Sequence, residues 1–195
     1  MKAKTYHHGD LRTALIEKGI EVIGEKGAAA LSLRKVAAAC GVSEAAPYGH
    51  FTNKKALLEA IEEHVSDKFT AALKGSVIDT GETLEGLVCL GCAFVMFFAN
   101  NPKYFDLIYN ELDIKAGGSN KFAPYDFIHD FMFKLFNNIN HPPELRERTF
   151  YTQIAWFQGL MLLTLIDSNK DPSIREKRVR EALSTNYLLF GGTSS

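Results

Sequence analysis

The chain has 195 residues, of which 46% are apolar, 11% aromatic and 23% charged, a balance that excludes a disordered or fibrous chain and predicts a buried core. The formal net charge of -1 hides an asymmetry: residues 1–55 carry nine basic against five acidic side chains, a net of +4, whereas the remainder carries 13 against 18, a net of -5. A basic head on an acidic body predicts that the head alone approaches a polyanion such as nucleic acid.

Cys40, Cys89 and Cys92 are too few and too odd in number for a secreted disulfide framework. The N-terminal lysines precede no compact apolar run, because Arg12, Glu17, Lys18 and Glu21 interrupt Leu11 to Ile23. The uncharged stretch from Gly86 to Ala99 falls short of the roughly 20 apolar residues that cross a bilayer. A cytoplasmic protein with no membrane segment is expected.

In chain order, apolar positions Leu11, Ala14, Leu15, Val22 and Ile23 trace one face of a first helix that ends near Gly24. Ser32 stands as an N-cap before Leu33, Val36 and Ala37, and Gly41 ends that second helix. Ser43 opens a short third helix closed by Phe51, and Thr52 or Asn53 caps a fourth, with apolar positions at Leu57, Ile61, Val65 and Phe69. Gly75 and the turn at Asp79-Thr80-Gly81 part head from body. Five further helices are expected at about 83–100, 102–113, 122–138, 143–167 and 172–189, three of them opened by Pro102, Pro143 and Pro172. The fold class is therefore all-α, about nine helices: a basic head at 1–55, a connecting helix at 54–74, and a helical body at 75–195.

Two short helices joined by Cys40-Gly41-Val42-Ser43 fit a helix-turn-helix braced by the helix before it. Ala37, Ala38 and Gly41 let the two helices approach, and Ser43 to Ala46 place short side chains on the turn that enters a major groove. Any αα-hairpin in a bundle has the same small residues. Lys54 and Lys55 break the tie, because they open a helix whose macrodipole disfavours cations there, with His50 and Tyr48 beside them. A phosphate at that helix start accounts for the cluster.

The run from Leu31 to Leu58, LSLRKVAAACGVSEAAPYGHFTNKKALL, with the lead-in Tyr6-His-His-Gly-Asp-Leu-Arg12, resembles the DNA-binding signature of the tetracycline-repressor (TetR) family. The resemblance is close over about the first 70 residues and architectural beyond them. It implies a DNA-binding head, a ligand-binding helical body and a homodimer built by the last two long helices, acting on a palindromic double-stranded operator. Matched position by position, Arg34 reaches a base edge or phosphate, Ser43, Glu44, Ala45 and Ala46 start the recognition helix, and Tyr48, His50 and Lys54 contact phosphates. Two residues depart from the pattern. Pro47 stands where leucine is usual and removes a helical N–H, and Gly49 stands where a bulky or basic residue is usual, so an irregular recognition helix is expected.

Aromatic residues crowd between Phe94 and Phe157. Such residues at helical spacing are ordinarily core. With the family resemblance they imply a pocket for a small apolar or aromatic effector, lined by Phe94, Phe97, Tyr104, Phe105, Tyr109, Phe127, Phe131 and Trp156. Gln158 stands where one branch of the family has histidine. Cys89 and Cys92 form a C-x-x-C inside an apolar helix with no second ligand pair, which reads as two small buried side chains. No nucleophile-base pair, nucleotide loop or metal spacing is present, so no catalytic residue, metal or cofactor is expected.

A partner helix is expected against Ile154, Phe157, Leu160, Met161 and Leu165, and against Val179, Ala182, Leu183, Tyr187 and Phe190. The reading is a ligand-responsive regulator, in the sense of a repressor. Its rivals are a DNA-binding protein of the same fold whose body takes a protein partner, and a helical carrier or enzyme with an incidental basic head.

Overall fold

The computed structural model describes residues 8–108, 123–169 and 171–190. Among them are eight α-helices and no strand: α1 His8–Lys26, α2 Leu33–Cys40, α3 Lys54–Ser76, α4 Leu84–Asn100, α5 Pro102–Asp106, α6 Ala123–Asn138, α7 Arg146–Ile166 and α8 Pro172–Phe190. The chain divides into two compact units, Met1–Ser66 with Lys103–Asn120, and Asp67–Pro102 with Lys121–Ser195, so that α3 contributes to both.

The first unit is built on caps that the sequence announces. Ser32 Oγ accepts from the N–H of Lys35 at 3.2 Å and opens α2. Gly41, at φ 69, closes it in the left-handed region, where its missing Cβ avoids strain. Asn53 Oδ1, one of the two expected caps, accepts from the Ala56 N–H at 2.9 Å and opens α3. Leu15, Ile16 and Ile20 of α1, Val36 and Ala37 of α2, and Leu57, Ile61 and Val65 of α3 are buried together with Phe51.

The expected third helix is absent. In its place the chain makes a turn at Ser43 and a 3-10 helix at Ala46–Gly49. Pro47 has no N–H to give to the carbonyl of Ser43, and the bonds that form instead span three residues: Ala46 N to Ser43 O, Tyr48 N to Ala45 O and His50 N to Pro47 O, each within 3.1 Å. Irregularity at Pro47 and Gly49 is thus a loss of α-winding from Ser43 to Gly49, with a four-residue bond returning only at the end, Phe51 N to Pro47 O at 2.9 Å.

In the second unit α4 is apolar on nearly every side and packs against α7 and α8. Gly91 lets this happen: a Cβ there would meet Phe157 Cε1 at 2.6 Å and Leu183 Cδ1 at 2.9 Å. Thr83 caps α4 by accepting from Gly86 N at 3.0 Å, and Asp171 caps α8 by accepting from Ser173 N at 2.9 Å and Ile174 N at 3.3 Å. The buried Arg175 ties the start of α8 to the end of α4, donating to the carbonyls of Asn169 at 2.8 Å and Ala99 at 3.4 Å. One expected boundary moves: the turn at Pro143–Leu145 is 3-10, with α7 starting at Arg146. Helix α5 spans Pro102–Asp106, and the expected helix end at 113 lies outside the described residues.

Candidate functional site

The exposed face of the first unit is formed by α2, the turn after Gly41 and the 3-10 helix. Ser43, Glu44 and Ala45 are exposed, Ala46 and His50 are half-buried, and the Tyr48 ring is 56% exposed. Pro47 points inward and anchors the element. Arg34 and Glu44, ten residues apart in sequence, face each other, Nε to Oε2 at 3.2 Å, and both remain largely in solvent.

Lys54 is placed differently from a solvated cation. Its Nζ donates to the carbonyls of Ala28 at 2.6 Å and Ala29 at 3.3 Å, in the short 3-10 segment after α1. An ammonium has three donors, so one is left for a further acceptor. Two supports escaped the reading of the sequence: Lys35 Nζ donates to Ala30 O at 2.9 Å, and the Arg12 guanidinium lies over the Phe51 ring at 5.6 Å. Both rest on contacts far apart in the chain or across a turn, which no local motif signals.

The expected effector residues are dispersed. Phe94 is fully buried in the second unit, with its ring centroid 5.3 Å from Phe69 and 5.6 Å from Phe157, and Phe97 stacks on Phe69 at 4.7 Å. Phe131 is buried, Phe127 is half-buried with Lys74 Nζ 5.8 Å from its ring, and Trp156 is 41% exposed on α7. Tyr104 and Phe105 belong to the first unit. Tyr109 lies outside the described residues, as do the side chains of Tyr187 and Phe190. Gln158 donates to the Tyr125 hydroxyl at 3.1 Å.

Cys92 is buried, and burial pushes its thiol up to about 11, while Cys89 is half-buried and accepts from Arg180 Nη1 at 3.8 Å. Among the described residues no group of three His, Cys, Asp or Glu side chains has metal-binding proximity.

Burial divides the residues expected to meet a partner helix: Ile154, Leu160, Leu165 and Ala182 are half-buried. Phe157 and Met161 are core, as are Val179 and Leu183 of α8. The apolar residues left in solvent are Tyr151, Trp156, Leu162, Leu163 and Ile166, and a Cβ on Gly159 in the same stripe would meet open space. Pro143–Ile166 is also long and apolar enough, by length and composition, to cross a membrane, a segment that counting uncharged runs passes over. Its opposite face packs into the protein through Phe150, Phe157 and Met161.

Residues 15–61 match the model of bacterial regulatory proteins of the tetR family. No curated protein matches the chain. Among solved structures, a protein of unknown function from Rhodococcus sp. RHA1 is similar at 25% identity and TM-score 0.72, over 94% of this chain and 98% of that one. A tetR-family regulatory protein from Rhodococcus RHA1 is similar at 20% identity and TM-score 0.68, over 88% and 94%. AibR, solved in complex with isovaleryl coenzyme A and operator DNA, is similar at 18% identity and TM-score 0.66, over 88% and 95%. The head of this chain, at residues 15–61, thus matches the tetR-family model, and the chain as a whole shares its fold with solved structures that include a tetR-family regulatory protein.

Proposed function

We propose that the protein is a transcriptional repressor that binds a palindromic operator as a homodimer and is released by a small apolar or aromatic effector. The observation that carries the reading is the exposed face of Arg34, Ser43, Glu44, Ala45 and Tyr48 on a head matching the tetR-family model, with His50 and Lys54 at its edge. Arg34 and Glu44 serve base readout, Ser43, Ala45 and Ala46 make close contact with the groove, and Tyr48, His50 and Lys54 meet phosphates.

The dimer is supported by the apolar stripe of α7, an exposed face that a second copy covers. An effector held against the aromatic cluster of Phe94, Phe97, Phe127 and Phe131 shifts the equilibrium only by binding the DNA-incompetent dimer more tightly, with α3 common to both units as the covalent route. AibR, of the same fold, is solved with an acyl coenzyme A and with operator DNA, which supports ligand response here. Acting on chromosomal DNA, the protein works in the cytoplasm as a regulator and not as an enzyme.

Selection from a random duplex pool tests this. Enrichment of an inverted repeat whose half-sites lie about 34 to 36 Å apart is expected. Recovery of no common sequence, or of a single half-site, refutes the dimeric operator.

A further inference from the structure

A buried polar residue interrupts the inward face of α7. Gln153 is only 5% exposed, and with the half-buried Thr149 and the exposed Arg148 and Thr152 it lines a cavity of about 520 Å³ in the second unit. A core helix ordinarily turns an apolar residue inward at such a position. The facing wall is apolar, formed by Leu87 of α4 and by Met132, Leu135 and Phe136 of α6. None of the seven described aromatic residues expected to hold an effector lines this cavity.

The mouth is held in place. Two residues past α6, Asn140 takes the left-handed region, φ 54, with His141 N donating to Phe136 O at 2.8 Å. The His141 ring then stacks on Phe136 at 4.8 Å, and its Nε2 hydrogen-bonds with Thr149 Oγ1 at 2.9 Å. Arg146 fastens the same segment through His141 O at 3.1 Å and Asn137 Oδ1 at 2.7 Å. Arg148 is the one cation in the lining, and among the described residues no carboxylate lies within ion-pair distance of it.

An amphiphilic cavity with an apolar floor and an unneutralised guanidinium at its edge selects an apolar anion. At about 30 Å³ per water-sized group the space holds on the order of 17 non-hydrogen atoms. We propose that this cavity binds an unbranched monocarboxylate of about eight to fourteen carbons, its carboxylate on Arg148 and its tail against α4 and α6. The site stands apart from the aromatic cluster and from the reading of the head, so its test uses no DNA.

Isothermal titration of octanoate, decanoate and dodecanoate into the full chain is expected to give saturable binding, with methyl decanoate about ten-fold weaker than decanoate. Arg148→Gln is expected to weaken decanoate about ten-fold and leave the methyl ester unchanged. Ile139→Trp, at a cavity-lining position that is 44% exposed and so tolerant of a larger side chain, is expected to weaken both ligands. Unaltered thermal melts show that both variants are folded. Absence of binding by all three acids overturns the proposal, as does decanoate binding that neither variant changes.

Discussion

Lys54 separates the two roles that the head assigns to one side chain. Its ammonium uses two donors on the carbonyls of Ala28 and Ala29, leaving one for a phosphate. Lys54→Met keeps the aliphatic stem and removes all three. The lost tie to the carbonyls is charge-assisted, but partly exposed, so the stability cost is about 1 kcal/mol, a fall in Tm of about 2 to 4 °C for a chain of this size. Loss of one phosphate contact lowers the slope of log affinity against log salt by about 0.9, so that the variant's deficit is about 3.5-fold larger at 50 mM than at 200 mM salt. Fluorescence anisotropy on an unrelated duplex at four salt concentrations measures the slope, and differential scanning calorimetry the Tm. A lowered Tm with an unchanged slope refutes the phosphate contact and leaves Lys54 as a purely internal fastening.

Three further outcomes follow from the same contacts. Glu44→Gln releases Arg34 from its ion pair, so affinity for random duplex rises several-fold while preference for the selected site falls; anisotropy on the two duplexes checks it, and weaker binding to both contradicts it. Gly91→Ala drives a Cβ into Phe157 and Leu183, an overpacking cost of about 1 to 3 kcal/mol set against about 1 kcal/mol of helix propensity, and a rise in Tm shows that the ring yields. Asp171 titrates below its ordinary value of 3.8 because the Ile174 N–H, then the Ser173 hydroxyl and N–H, bond its charged form. That contribution is present above the ordinary value and is lost as pH falls through the lower folded one. Asp171→Asn keeps a cap without a titrating group, so denaturant midpoints decline less steeply below about pH 4 than those of the unaltered chain; parallel declines contradict the assignment.

The parts of the fold written in local chemistry are legible from the sequence. Ser32, Asn53 and Gly41 act within three or four residues of themselves, and the structure puts each where its cap or turn belongs. The recognition element is the exception. Ser43 reads as a cap, yet Pro47 four residues later withholds the N–H that would make the first α-turn, and the element winds as a 3-10 helix. Long-range pairings are not legible at all: nothing local joins Arg34 to Glu44 or Lys54 to Ala28.

The body shows why periodicity alone cannot identify a pocket. Aromatic rings fill a core as readily as they line a cavity, and Phe94 against Phe69 and Phe157 does the former. Which stripe of α7 faces solvent is illegible for a related reason. Helix α7 is apolar around most of its circumference, so the sequence does not say which stripe turns inward; Phe157 and Met161 do, and Trp156, Leu162 and Ile166 do not.

The central claim is that a dimer of this chain holds an operator through a head that neutralises phosphates. Anisotropy of a labelled, selected duplex, titrated at several salt concentrations, tests it in one experiment. The account predicts saturation at two protomers per duplex and an affinity that falls linearly in log salt, by about 0.9 for each phosphate neutralised. Saturation at one protomer, or an affinity indifferent to salt, contradicts it.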